Sequence, residues 1–187
     1  GLDVMIAVDI SASMLAEDIK PNRLLKAKHA ISALIDRLSG DRVGLITFAG
    51  VSFVQCPLTT DYAAARLFLD ALDIDTISQS GTEISEAIRV AATSFNQEES
   101  KYKVLVFFTD GEDHGEKAIE SAKAAFRSGI RIFCVGVGSP EQGAPIPLRE
   151  PSGEFLGYKR DRNGELVVTK LDDSLLREIA QLTHGNY

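Results

Sequence analysis

Asp9-Ile10-Ser11-Ala12-Ser13 follows directly on the apolar run Leu2-Asp3-Val4-Met5-Ile6-Ala7-Val8. That run is too short and too rich in β-branched residues for a helix. It reads as a central strand buried on both faces, as in parallel sheets. Where it ends, one carboxylate and two hydroxyls arrive at alternate positions. Three oxygen groups within five residues suit a hard divalent cation. They equally suit a helix N-cap, so the pentapeptide alone does not separate the two readings.

Outward from this strand, apolar strands alternate with amphipathic helices. Pro21 suits the first turn of a helix, with Leu24, Ala27, Lys28, Ile31, Leu34, Ile35 and Leu38 following at helical spacing and Gly40 closing it. Val43–Phe48 reads as a second strand, and Val51–Val54 as its antiparallel neighbour across Ala49-Gly50, ended by Pro57. Asp61 can cap a helix with Tyr62, Ala65, Phe68, Leu69 and Leu72 on one face. A polar loop, 75–82, leads into a helix near Glu83 with Ile84, Ala87, Ile88, Ala91 and Phe95 inside. Lys103–Thr109 is the most apolar strand and ends in Asp110-Gly111-Glu112-Asp113-His114-Gly115. Next come a helix facing inward through Ala118, Ile119, Ala122, Ala125 and Phe126, a stop at Gly129, and a buried strand over Ile130–Val137.

This order predicts an α/β fold, doubly wound, with a mostly parallel central sheet and one antiparallel edge strand. Residues 138–169 break the rhythm. Arg162-Asn163-Gly164-Glu165 reads as a turn joining Phe155–Lys159 to Leu166–Thr169, a β-hairpin excursion on the sheet edge. A final helix is expected over Leu171–Thr183, before Gly185.

A length of 187 residues suits one domain spanning the whole chain. The net charge of −7 argues against a general nucleic-acid binder, which needs a basic face. No apolar run reaches the roughly 18 residues of a membrane span, and there is no signal peptide. Because the chain starts at Gly1, inside a predicted strand, it reads as an excised domain whose anchor would lie elsewhere. Cys56 and Cys134 read as buried thiols in separate strands.

In open α/β sheets ligands sit at the carboxyl ends of strands, where strand order reverses. If the strands ending in Asp9 and Asp110 are neighbours, their ends lie about 5 Å apart. Thr82, in a loop leading into a helix, could reach the same place. The candidate metal set is therefore Asp9, Ser11, Ser13, Thr82 and Asp110.

Asp9-Ile10-Ser11-Ala12-Ser13, Thr82 after Gly81, and Thr109-Asp110-Gly111 together resemble the metal-ion-dependent adhesion site of von Willebrand factor A domains. Asp-Ile-Lys-Pro-Asn-Arg after the first motif and the late hairpin resemble the bacterial aerotolerance, Bat-type branch. The resemblance implies a Rossmann-like fold and a non-catalytic, metal-dependent interaction domain that docks an acidic side chain of a partner protein. It implies Mg²⁺ at the five residues, with Mn²⁺ or Ca²⁺ as substitutes. It further implies a membrane-anchored parent and partners among other Bat proteins or MoxR-type AAA+ ATPases; the side of the membrane is left open by the sequence, with the periplasm taken over the cytoplasm as a guess. No nucleic acid and no direct membrane insertion are implied.

Other residues read more plainly. Thr82 could cap its helix, which is compatible with ligation. Glu83, Glu112 and Asp113 read as solvated rim charges, His114 as a surface residue, and His29 and His184 as structural. Arg149, Lys159, Arg160 and Arg162 read as solvated charge on the late hairpin. The competing reading is a Mg²⁺-dependent phosphatase or phosphotransferase of haloacid-dehalogenase type, since Asp9 ends a strand. Those enzymes carry a second Asp two residues on, where this chain has Ser11. No phosphate-binding GxxxxGK[ST] or GxGxxG loop supports a nucleotide site, and no GxSxG elbow supports a serine hydrolase.

Overall fold

A computed structural model of the chain describes residues 1–74, 81–95, 102–113 and 116–187. Most of the loop expected over 75–82 and the turn residue His114 lie outside the described residues.

The central sheet contains β1 (Leu2–Asp9), β2 (Arg42–Phe48), β3 (Ser52–Thr59), β4 (Tyr102–Thr109) and β5 (Ile130–Gly136), in the order β3-β2-β1-β4-β5. β1 lies parallel to both β2 and β4, β5 runs parallel to β4, and β3 returns antiparallel along the edge of β2. Among the described residues they are connected and covered by a 3-10 turn (Ala12–Leu15), α1 (Arg23–Asp36), α2 (Tyr62–Asp70), α3 (Ile84–Ser94), α4 (Lys117–Arg127) and α5 (Ser174–Leu182).

Alternation along β1 divides the core. Met5 and Ala7 face one way, onto α3, α4 and α5 through residues such as Ile84, Ala118 and Ile179. Val4, Ile6 and Val8 face the other, onto α1 and α2 through Leu24, Ile31 and Leu69. A strand covered on both faces must be apolar throughout, which is why Leu2–Asp9 has no polar face. The parallel, doubly wound sheet with an antiparallel edge strand is as the sequence predicts.

Several boundaries differ. Pro21 precedes α1 rather than opening it; Asn22 is the cap, accepting a hydrogen bond from the Leu25 N–H. The helix ends at Asp36, before Gly40. β3 runs through Pro57, since an edge strand tolerates a missing N–H and the pairing is irregular there. Phe68 and Phe126 are substantially exposed rather than inward. β5 is the other sheet edge, so it alternates between buried Ile132 and Cys134 and exposed Arg131 and Val135, instead of being wholly buried.

That β5 edge is closed by the C-terminal segment. The Ile132 N–H donates to Thr183 Oγ1 and the Cys134 N–H to the Asn186 carbonyl. A Cβ at Gly185 would come within 1.7 Å of the Ile132 carbonyl oxygen, so only glycine lets the backbones approach this closely.

The late segment is also arranged differently from the expected hairpin on the sheet edge. It forms two small antiparallel pairs, β6 (Ala144–Pro145) with β9 (Val168–Thr169) and β7 (Pro147–Arg149) with β8 (Phe155–Tyr158). The predicted turn over 162–165 forms: the Asp161 N–H donates to the Glu165 carbonyl, the Gly164 N–H to the Asp161 carbonyl and the Val167 N–H to the Lys159 carbonyl, with Arg160 bridged to Leu166. Phe155–Tyr158 pairs with β7 instead. These pairs hydrogen-bond apart from the central sheet and stand at the end where β1 and β4 stop. Ile146, Lys159 and Val167 of this lobe share a cleft with Ser11, Ser13 and Thr82.

Candidate metal centre

The sheet order reverses between β1 and β4, and Asp9 and Asp110 stand at the carboxyl ends of these neighbouring strands. Both side chains are fully buried. Asp9 Oδ1 accepts from the Ser11 N–H at 2.9 Å and from Ser11 Oγ at 2.6 Å, while its Oδ2 accepts from Thr109 Oγ1 at 2.7 Å. The first of these bonds turns the chain out of β1, so the motif's own carboxylate aims the hydroxyls that follow.

Asp110 is held similarly. Its Oδ1 accepts from the Glu112 N–H at 3.2 Å, and its Oδ2 from Ser13 Oγ at 2.5 Å and Arg23 Nη1 at 3.1 Å. Gly111 follows with φ of 74°, and a Cβ there would meet the Asp172 carbonyl oxygen at 2.0 Å. The third motif therefore ends in glycine for two reasons, a left-handed turn and a close backbone crossing.

Ser11 Oγ and Ser13 Oγ stand 3.0 Å apart, each with a carboxylate to donate to. Each hydroxyl has one proton and a carboxylate within reach, so when both protons go to the carboxylates the two oxygens present lone pairs to each other. That arrangement suits a cation bound across them. Adjacent ligands of an octahedral Mg²⁺, bonded at about 2.0–2.1 Å, lie about 2.8–3.0 Å apart. The donor set thus fits a small divalent cation.

Ser11, Ser13 and Thr82 line an open cleft of about 450 Å³, together with Gly81, Glu83, Glu112 and Asp113. Asp9 and Asp110 do not line it; they lie beneath the hydroxyls. Thr82 does not cap α3, because Glu83 occupies the N-cap position. Among the described residues no three His, Cys, Asp or Glu gather as a ligand cluster. The site is hydroxyl-faced and backed by carboxylates.

Burial, then the charge of Asp110, pushes the Asp9 carboxyl up to about 7 against the hydrogen bonds from Ser11 and Thr109. Burial likewise raises Asp110. Two carboxylates this close and this dry share negative charge poorly, and a divalent cation relieves that.

Two expectations about the rim are corrected. Asp113 Oδ2 accepts from the Ile84 N–H, and Glu112 Oε1 from the Lys170 N–H, both at 2.9 Å. Neither is a merely solvated charge; each ties the loop after β4 to another segment. Arg149, by contrast, pairs at the surface with Glu17 and lies over the Phe155 ring.

Sequence reasoning passed over Arg23. Its side chain is fully buried. Besides Asp110, Nη1 reaches Thr169 Oγ1 at 2.9 Å, and Nε and Nη2 grip Asp18 at 2.8 and 2.9 Å. Burial alone would raise Asp18, but the bonds from Arg23 and the Ser139 N–H hold it below the usual carboxylate range. The signal was present: Arg23 continues the i, i+4 stripe of Ala27, Ile31 and Ile35 on the buried face of α1.

The profile of the von Willebrand factor type A domain matches residues 4–112. BatB, a conserved hypothetical protein from Bacteroides thetaiotaomicron, is 47% identical over 100% of this chain and 89% of its own, with a TM-score of 0.93. An aerotolerance-related membrane protein from Bacteroides fragilis is 46% identical over 100% of this chain and 90% of its own, with a TM-score of 0.92. A UPF0353 protein from Mycolicibacterium vanbaalenii is 29% identical over 98% of this chain. The chain spans about half, 53%, of that curated relative's length.

Proposed function

The chain belongs to the von Willebrand factor type A domain family, and from that premise we propose that it is a non-catalytic, metal-dependent protein-interaction module. Domains of this family commonly bind a divalent metal at the adhesion-site motif, and those of Bat-type proteins are generally interaction modules. Ser11, Ser13 and Thr82 would hold the cation from the cleft side, with Asp9 and Asp110 orienting the serines from beneath. The 3.0 Å pairing of two hydroxyls, each also bonded to a buried carboxylate, carries this reading.

When bound, the cation supplies a Lewis-acidic vertex for an oxygen ligand from outside. Neutral hydroxyls facing the cleft leave most of its charge uncompensated on that side, so an Asp or Glu of a partner protein is the complementary group. Mg²⁺ suits the hydroxyl spacing best, and Mn²⁺ or Ca²⁺ are the substitutes. Residues 1–187 act as one unit in this reading. The parent is proposed to be a membrane-anchored protein of aerotolerance or complex assembly, facing the periplasm. Its proposed partners are other Bat proteins or a MoxR-type ATPase. Among the described residues no helix is long and apolar enough to cross a membrane.

Aspartyl-phosphate chemistry is disfavoured, because Asp9 is buried beneath Ser11 with both oxygens accepting hydrogen bonds. Calorimetry with Mg²⁺ and Mn²⁺, followed by capture of partners from the parent membrane with Mg²⁺ or EDTA, tests the proposal. Saturable uptake and capture lost in both EDTA and Ser11→Ala support it. Absence of uptake, or capture indifferent to EDTA, overturns it.

A further inference from the structure

We propose that Arg23 is a positioning residue that holds Asp110 back from the cation and so keeps the site receptive to a partner's carboxylate. This rests on the metal-site reading above and adds what sets the site's preference.

Asp110 Oδ2 is the oxygen in question. It accepts from Ser13 Oγ and from Arg23 Nη1 at once. To become a direct ligand, Asp110 would have to give up one or both of these bonds. Arg23 cannot follow it outward. Its guanidinium is anchored on the opposite side by the two-point grip on Asp18, and Nη1 and Nη2 also reach Thr169 Oγ1 and the Thr169 carbonyl at 2.9 and 3.3 Å. A planar guanidinium fixed at that many points is a rigid fork rather than a mobile charge.

Two effects follow in the same direction. The hydrogen bond and the opposite charge retain Asp110 as a backing group that orients Ser13, not as a ligand. The buried positive charge also opposes the cation through a medium that screens weakly, while favouring an incoming anion. Removing Arg23 should therefore tighten metal binding and weaken carboxylate binding. Damage to the fold would weaken both, so the opposed signs separate positioning from mere structural support.

The test uses Mn²⁺ as the metal and acetate as the carboxylate, on wild type, Arg23→Met and Arg23→Lys. Calorimetry reads Mn²⁺ affinity, and proton relaxation reads the number of exchangeable waters on bound Mn²⁺. Arg23→Met should bind Mn²⁺ about tenfold tighter and carry about one water fewer, because Asp110 takes its place. Acetate should shift the relaxation less than in wild type, and Arg23→Lys, which keeps the charge, should fall between. Equal affinity and hydration in all three proteins would overturn the role of Arg23 while leaving the metal site intact. No Mn²⁺ uptake by wild type would instead overturn the metal-site reading beneath it. If Arg23→Met does not fold, a crystal of Mn²⁺-loaded wild type decides. Asp110 still bonded to Arg23, with water between it and the metal, supports the proposal, and a direct Asp110–Mn²⁺ bond overturns it.

Discussion

The carboxylate of Asp113 accepts a hydrogen bond from the Ile84 N–H at 2.9 Å, so the loop that follows β4 secures the first turn of α3. Glu83, at the N-cap, makes no side-chain bond of its own there. Asp113→Ala is expected to cost about 1 kcal/mol, the ordinary worth of a lost N-terminal cap, as a lowered thermal midpoint. Thr82 lies two residues upstream, so the same variant should also weaken Mn²⁺ uptake, though by less than the loss of a serine ligand.

Ser11→Ala and Ser13→Ala each remove one of the paired hydroxyls and leave a carboxylate with one hydrogen bond fewer. Either change should lower Mg²⁺ or Mn²⁺ affinity by about 10- to 100-fold, the range seen when a metal site loses a supporting group. Circular dichroism should show the fold retained, because the sheet's hydrogen bonds do not pass through these side chains. Undiminished affinity in both variants would remove the serines from the site.

Acidity supplies a third check. Metal-free Asp9 has its carboxyl raised to about 7, chiefly by burial and next by Asp110. An Asp raised in the folded state contributes stability that is fully present below about pH 4 and is lost as pH rises through 7. Asp9→Asn should flatten that part of the metal-free stability curve. Cation binding runs the other way, because the ion displaces the proton. Affinity should climb between pH 5 and 8, with protons released in buffer-dependent calorimetry near neutrality. A pH-independent affinity would contradict this.

Gly185→Ala tests the closure of β5. Its Cβ would stand 1.7 Å from the Ile132 carbonyl oxygen, so the C-terminal segment must lift off the strand. A loss of about 2–4 kcal/mol is expected from chemical denaturation, in the range of overpacked sites. Faster amide exchange at Cys134, whose N–H bonds to Asn186, should accompany it.

What was legible in the sequence was whatever is encoded locally. Asp9, Ser11 and Ser13 stand within one turn of one another, and Thr109-Asp110-Gly111 closes an unmistakable buried strand. Once β1 and β4 are neighbours, the meeting of their ends follows from parallel-sheet geometry. Arg23 was illegible as a site residue because its partners Asp110 and Thr169 lie 87 and 146 positions away. Its place on an otherwise apolar stripe was the clue. The late segment was legible in part: the turn at Arg162-Asn163-Gly164-Glu165 forms, with Lys159 and Val167 hydrogen-bonded across it. Strands of two to four residues carry little pattern, so the pairings of β6 with β9 and of β7 with β8 were not legible. Distant partners decided the matter: Thr169 is claimed by Ala144 and by Arg23.

The pairing of Ala144 with Thr169 brings the two stems of the lobe side by side, at roughly 5 Å between Cα atoms. Everything from Ile146 to Val167 thus leaves and re-enters the molecule through one narrow gate. A segment rooted that way is a grafting point. Its two small pairs share no hydrogen-bonded strand with the central sheet, so replacing it in the laboratory need not re-register any strand there. Because Ile146, Lys159 and Val167 of that segment wall the cleft over Ser11, Ser13 and Thr82, such a replacement would reshape the mouth of the cleft while leaving its floor in place.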